Sequence, residues 1–283
     1  MTRRRTGYYV LMYAIGAVLL AAVFGPILWL VISSVSTQAE LLSVPTHFVP
    51  DHPTLARYQE IFAGAQGSVG GALRAAMVNS LVVATATVVI SGVAAVFGAY
   101  AFARVRFRGK TPVLLLFLGT YMMPPLALVI PLYLIMANLG LLDTRTGLVL
   151  VNCTFTTPFL LWLLSNYFAA LPVELEDAAQ IDGLSRLGAL FRIVLPIARP
   201  GLVTAAIMAF LASWDEFFYA LIFTDSPAAK TVPVALSEFV GKYASLDFGL
   251  MAAGGVVALV PPVVFAVILQ RQIMSGLAAG AVK

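Results

Sequence analysis

Two carboxylates stand side by side inside an oily stretch of this chain, Asp215 and Glu216, flanked by Trp214, Phe217, Phe218 and Tyr219. An aromatic plate with a hydrogen-bonding acid beside it is a means of holding a polyhydroxylated ring such as a sugar. A carboxylate placed within a membrane helix costs roughly 2.5–3.5 kcal/mol, so both should face a cavity or a partner. The competing reading places them near the outer membrane interface, where aromatics form a belt and acids reach water. As proton sites, the same pair would suit an ion-coupled carrier. Asn79, Tyr121 and Asn152 are uncharged polar residues in other apolar runs. They could line the same path, or hydrogen-bond between helices.

The second concentration of chemistry is the charged segment 171–200, which separates two long apolar stretches. Pro172 suits a first helical turn, where its missing N–H would be unpaired anyway. Glu174, Glu176 and Asp177 then lie near the positive end of the helix dipole, and Gly183 supplies the left-handed stop. A short helix over about 172–182 is predicted, with Ser185 capping the next. On the first helix Glu174, Asp177 and Ile181 share one ridge, with Ala178 and Asp182 four apart on its neighbour. Adjacent Ala178 and Ala179 make a low ridge that another surface could approach closely. A small acid-flanked helix of this kind suits a groove lined with apolar and basic groups. An amphipathic loop lying on the membrane is the alternative, but anionic headgroups would repel its acids.

Other chemistry is missing. Cys153 is the one cysteine, which leaves neither a disulfide framework nor a cysteine metal cluster. His47 and His52 fall in a Pro- and Gly-rich stretch and read as surface residues rather than metal ligands. No Walker-type phosphate loop and no Ser/His/Asp or Cys/His set emerges. The expectation is therefore no catalytic residue, no metal and no cofactor bound by this chain. If ATP drives the protein, another subunit hydrolyses it.

The elements that must position these groups are membrane spans. The chain of 283 residues is 61% hydrophobic and 11% charged, against about 25% charged residues in soluble domains. Runs free of Asp, Glu, Lys and Arg occur at 6–39, 75–103, 111–142, 146–173, 200–214 and 248–270. A span needs roughly 20 apolar residues, so five of them suffice alone, and the run from 200 continues past the two acids to Phe223. The expectation is an all-α polytopic membrane protein, a single transmembrane domain over 1–283. Its six spans are placed at about 8–34, 74–103, 112–138, 147–170, 199–223 and 248–270, with the charged loop at about 171–198. Twelve of the 17 basic residues fall on one side of that arrangement: Arg3, Arg4, Arg5, Arg104, Arg106, Arg108, Lys110, Arg186, Arg192, Arg199, Arg271 and Lys283. By the positive-inside rule that side, with both termini, is cytoplasmic. The net charge of +4 is then a consequence of topology, and a nucleic-acid partner is not called for. The apolar run at the N-terminus exceeds the 7–15 residues of a signal core, so an uncleaved first span is expected. In the loop at about 36–72, a short amphipathic helix is expected around 53–62, with Leu55, Tyr58, Ile61 and Phe62 at helical spacing.

Asp177-Ala178-Ala179, Asp182-Gly183, Ile193 and Leu195-Pro196 resemble the EAA loop of ABC-importer permeases. The likeness extends over nearly the whole chain to the smaller six-span membrane subunit of maltose-type carbohydrate importers. It includes Asn79-Ser80-Leu81, Ala99 to Arg104 with Phe107 to Lys110, Met123-Pro124, Leu139 to Thr144 and Trp214 to Phe217. The resemblance implies a type I importer permease in the cell membrane. Its partners would be a homologous second permease, two ATPase subunits carrying ATP and Mg, and an extracytoplasmic solute-binding protein delivering a sugar-like solute. It also implies coupling to the ATPases through Glu174, Glu176, Asp177, Ala178, Ala179, Asp182 and Gly183. The usual glutamate before the two alanines is Asp177 here, a shorter reach, with Glu174 and Glu176 as substitutes. A non-carbohydrate solute is the alternative within the class, and an ion-coupled secondary transporter the alternative outside it.

Overall fold

The computed structural model describes residues 2–45, 47–65, 67–242 and 247–281. Lys283 lies outside them, and the side chains of Arg3, Arg4, Arg5, Lys242 and Arg271 lie outside the description as well. Among the described residues every regular element is helical. In chain order these are α1 (Thr2–Val35), α2 (Gln38–Leu41), α3 (Ala56–Ala63), α4 (Val69–Arg104), α5 (Lys110–Tyr121), α6 (Pro125–Asn138) and α7 (Arg145–Ala169). They continue with α8 (Glu174–Ile181), α9 (Arg186–Ala189), a π-helical turn (Leu190–Val194), α10 (Leu195–Ile197), α11 (Arg199–Trp214), α12 (Phe218–Phe223), α13 (Val232–Lys242) and α14 (Phe248–Ala281).

Four of these helices are long and apolar enough to cross a membrane, and the number rises to six if each of two bent pairs forms one span. Two of the expected spans are interrupted. The third, expected at 112–138, is α5 and α6 joined at 90°. The cause is Pro124, whose extended ψ of 130° breaks the helix before Pro125 starts a new one. The fifth, expected at 199–223, stops as α11 at Trp214 and resumes as α12 at Phe218. Here the acids end the helix, because Glu216 turns back to cap α12. Upstream, the run Arg186–Ile197 meets α11 at 79°, with Pro200 in the first turn of α11. By contrast Pro26, Pro131, Pro158, Pro261 and Pro262 lie inside continuous helices. The predicted helix at 53–62 forms as α3, two residues after Thr54. The predicted helix at 172–182 is α8, which starts at Glu174 with Val173 as its N-cap, so Pro172 precedes it.

The chain divides into two compact units, Met1–Arg74 with Leu236–Val260, and Ala75–Ala235 with Pro261–Lys283. In the first, Arg57 is buried and ties three segments together. It pairs with Asp247 at 3.0 Å and donates to the Ser36 carbonyl, while Gly249 gives its guanidinium room that a Cβ would fill. The Ser34 and Tyr58 hydroxyls join α1 to α3 at 2.7 Å.

In the second unit α7 is the central post. Leu160, Leu164 and Phe168 are buried with Ala95 and Ala99 of α4, Leu190 and Val194 of the π turn, and Ala205 and Ala209 of α11. The small residues allow close approach, as at Gly98, where the Leu161 side chain occupies the space a Cβ would need. At the other end of α7, Asn79 is fully buried. Its amide nitrogen donates to the carbonyls of Lys230 at 2.9 Å and Pro227 at 3.0 Å, and its oxygen accepts from Arg145 Nε at 2.7 Å. Asp143 Oδ1 accepts from the Asp225 and Ser226 N–H groups at 3.0 Å. Burial pushes its carboxyl up, but those bonds outweigh burial and hold it below the ordinary carboxylate value.

Glu40 organises the stretch after α1. Thr37 and Glu40 form a capping box, and Glu40 Oε1 also accepts from the Asp51 and His52 N–H groups at 2.9 and 3.0 Å. The backbone N–H groups of Thr37 and His52, then that of Asp51, hold the Glu40 carboxyl down from 4.5 to about 2. A group depressed in the folded state contributes its stabilisation above its ordinary pKa and loses it as pH falls through the folded one. Hydrogen-exchange protection at Asp51 and His52 is therefore expected to stay constant from neutral pH down through 4.5 and to fade only toward about 2. Glu40→Gln should lower that protection already at neutral pH. Protection lost together with the ordinary carboxylate titration would contradict the clamp.

Candidate functional site

α8 is eight residues long, too short to be stable by itself in water, and its inner face shows what holds it. Glu176 is 4% exposed. Its Oε1 accepts from Arg104 Nε at 2.5 Å, and its Oε2 accepts from the Tyr100 hydroxyl at 2.8 Å. Arg104 Nη2 also donates to the Leu171 carbonyl at 3.1 Å, and the Tyr100 hydroxyl lies 3.2 Å from the Arg186 carbonyl oxygen. One buried carboxylate thus joins the end of α4 to both flanks of the charged loop. Ala179 is the second inward residue, 6% exposed.

The outer face carries the rest of the expected docking set. Glu174, Asp177, Ala178, Asp182 and Gly183 are exposed, and Ile181 is 86% exposed. Two residues depart from the sequence expectation. Glu176 turns into its own subunit, because Arg104 needs a counter-charge where it is buried. Ala179 also faces inward, so the low ridge consists of Ala178 alone. The Arg104 partnership could have been suspected from Tyr100 and Arg104, a phenol and a cation four apart at the end of an apolar run.

Helix α8 ends as its sequence requires. Gly183 has φ of +90°, a conformation that costs other residues about 1–2 kcal/mol. The Gly183 N–H reaches the Gln180 carbonyl and the Leu184 N–H the Ala179 carbonyl, at 3.1 and 3.0 Å, which together make a Schellman closure. Two residues later Ser185 caps α9, its Oγ accepting from the Gly188 N–H at 3.1 Å.

The second site is a cavity of about 710 Å³ among α5, α6, α7 and the segment from Glu216 to Tyr219. Five aromatic rings, those of Phe117, Tyr121, Phe155, Phe218 and Tyr219, stand on its walls among aliphatic residues and prolines. Phe155 and Tyr219 stack at 5.7 Å and 17°, and Tyr121 stacks with Phe159 at 5.5 Å and 27°. Thr120, Thr154, Thr157 and Glu216 are the polar groups on the lining. Glu216 serves two purposes, because its carboxylate also accepts from the N–H groups of Tyr219 and Ala220 at 2.7 and 3.0 Å. This is the cap that restarts the helix at α12.

Of the residues expected along a substrate path, Tyr121, Glu216 and Tyr219 meet at this cavity. Trp214 is 3% exposed and stacks on Phe210 at 5.6 Å, away from the lining. Asp215 is exposed and is not part of the lining either. Asn79 is spent on the staple described above. Asn152 is 1% exposed and donates to the Leu148 carbonyl of its own helix at 2.8 Å. Sequence reasoning missed Phe155, three residues after Asn152 and set between Thr154 and Thr156, a polar flank that could have drawn attention to it. Among the described residues no three His, Cys, Asp or Glu side chains gather as a metal site.

Spans bent at fixed points, an aromatic cavity between them and a clamped surface helix define a helical membrane permease. Residues 88–278 match the family described as the binding-protein-dependent transport system inner membrane component, and the chain belongs to that family. It is accordingly a permease subunit of an ABC importer, in which ATP is hydrolysed by separate subunits. That membership sets aside the ion-coupled alternative. The chain is 35% identical over 273 residues to the sulfoquinovosyl glycerol transport system permease protein SmoH of Agrobacterium fabrum, covering 96% of this chain and 93% of that one. It is 34% identical to the trehalose/maltose transport system permease protein MalG of Thermococcus litoralis, covering 95% of each. It is 38% identical to the trehalose transport system permease protein SugB of Mycobacterium tuberculosis, covering 91% and 92%. The fold is shared with a bacterial ABC transporter that imports alginate, at a TM-score of 0.80 over 96% of this chain and 98% of that one, with 21% identity.

Removing one partner of a buried ion pair costs roughly 3–5 kcal/mol, because the other charge is left unpaired. Glu176→Gln should therefore lower the thermal unfolding midpoint of the purified chain, and Arg104→Gln/Glu176→Gln should recover part of the loss. Additive losses in the double variant would show that the two side chains do not depend on one another.

Proposed function

We propose that this chain forms one half of the transmembrane pathway of an importer for a sugar or sugar-like solute. It works beside a homologous second permease, on two ATPase subunits that bind ATP and Mg, and receives solute from an extracytoplasmic binding protein. The chain is one transmembrane domain of six spans in the cell membrane, with both termini and the 171–198 loop in the cytoplasm. The observation that carries this reading is the division of labour on α8. Its inward carboxylate is locked to the subunit, and its acids, Ala178 and Ile181 are presented outward. An element so held transmits displacement instead of absorbing it.

The solute class is supported by the cavity. Stacked aromatic faces with hydroxyls and one acid between them suit the apolar faces and polar edges of a sugar ring. The relatives named for trehalose, maltose and sulfoquinovosyl glycerol transport carry permeases of the same length range. ATP-driven closure of the ATPases moves α8 and its counterpart, and the path between the permeases changes from inward-open to outward-open.

Two experiments test this. Ile181→Cys in a Cys153→Ser background should cross-link to an ATPase subunit in native membranes, and Ala178→Trp should abolish that cross-link and ATP-driven uptake while the chain stays in the membrane. Normal uptake by the tryptophan variant would remove α8 from the coupling path. An aromatic contact is worth about 0.5–1.5 kcal/mol beyond its area, so Tyr121→Ala, at a half-exposed position on the cavity wall, should raise the half-saturation concentration for uptake roughly 3–10-fold. Basal ATPase activity should be unaffected. An unchanged half-saturation value would place the solute path elsewhere.

A further inference from the structure

The turn between α4 and α5 builds a second charged assembly that the clamp does not use. Here the chain runs Val105-Arg106-Phe107-Arg108-Gly109-Lys110, and with Arg104 and Val173 it encloses an open pocket of about 600 Å³. Arg104 is committed to Glu176. Arg106 and Arg108 are exposed and Lys110 is half-buried, and among the described residues none of the three has a carboxylate within 4.0 Å. The turn is a built feature. Phe107 packs edge-on against the buried Phe102 with ring centroids 5.5 Å apart, and Gly109 at φ of +83° reverses the chain into α5.

The position of the pocket indicates its ligand. It follows directly on the apolar α4 and precedes α5, whose Leu115 and Leu116 are 59% and 70% exposed. The basic groups therefore stand where hydrocarbon gives way to headgroups, with an apolar helix face descending from them. A soluble anion would need only the charges, whereas a lipid uses both the charges and that face. Guanidinium groups match phosphate oxygens in a bidentate fork, and juxtamembrane basic clusters attract anionic leaflets.

We propose that Arg106, Arg108 and Lys110 bind the phosphate of an anionic phospholipid headgroup, with the acyl chains lying along α5. The site abuts the coupling element, because Val173 lines the pocket and is also the N-cap of α8. Lipid bound here therefore lies against the residue from which α8 starts.

Native mass spectrometry of the complex in mild detergent, titrated with phosphatidylglycerol or phosphatidylcholine, tests this. Each basic group near a membrane surface contributes about 1 kcal/mol toward anionic lipid, so R106Q/R108Q/K110Q should weaken the tightest phosphatidylglycerol site on the order of 100-fold. Phosphatidylcholine binding should be equal in variant and wild type. If the triple variant loses its thermal midpoint, R108Q alone should still weaken the site about 3–10-fold at an unchanged midpoint. Equal phosphatidylglycerol binding by variant and wild type overturns the proposal. So does displacement of the lipid by millimolar inorganic phosphate, which would make the ligand a soluble anion. Loss of the ATPase subunits from the triple variant with lipid binding retained would make the turn a protein interface instead.

Discussion

An ion pair with both members withdrawn from water holds its geometry when further hydrogen bonds fix each partner, and the Arg104–Glu176 pair has one on each side. Its two carboxylate oxygens each take one bond, from Arg104 and from Tyr100, and the guanidinium spends a second donor on the Leu171 carbonyl. Desolvation makes such a pair a weak source of net stability and a strong source of specificity, because any partial displacement leaves a buried charge uncompensated. For a helix of eight residues this is the decisive property. α8 does not persist by propensity, and a merely apolar face would let it slide. The buried pair fixes both its rotation and its height above the end of α4.

The same economy recurs at the break between α11 and α12. A helix interrupted inside a membrane leaves backbone N–H groups without partners, and each must be satisfied within the protein. Glu216 does this for Tyr219 and Ala220, so the carboxylate that sequence reasoning assigned to solute is first a structural acceptor. That engagement explains how an acid is tolerated there, and it makes Glu216 a fixed acceptor at the rim of the cavity rather than a mobile proton carrier. Tyr219, positioned by the cap, is held parallel to Phe155. The aromatic wall is therefore a consequence of the cap.

Legibility in the sequence followed the range of the physics involved. The short helix of the charged loop, its Gly183 stop and the Ser185 cap depend on neighbours within a turn or two, and the structure places them within about two residues of where pattern predicts. The bends at Pro124 and Ala198 were only half legible. Proline marks where a helix must yield, but the 90° and 79° angles are set by what packs on either side. Least legible were roles decided by partners far along the chain. Nothing near Glu176 distinguishes it from Glu174 or Asp177, and the distinction comes from Arg104, 72 residues earlier. Asn79 was equally opaque, since its partners include carbonyls 148 and 151 residues away.

Between α8 and the cavity the chain offers a continuous series of stiff pieces with a few defined joints. The Schellman closure at Gly183 passes into the Ser185-capped α9, and the π turn buries Leu190 and Val194 against α7. The bend at Ala198 then redirects the chain into α11, which ends at Trp214, wedged on Phe210, with Phe210 in turn against Phe265. Packed pieces of this kind change position as bodies, because close-packed interiors resist continuous deformation. Under the coupling role proposed for α8, motion imposed there would be concentrated at the joints, near residue 198 and at 215–217. The second joint is the one that carries Glu216 and sets the Tyr219 ring, so under that role it is where displacement of the surface helix would meet the aromatic wall of the cavity.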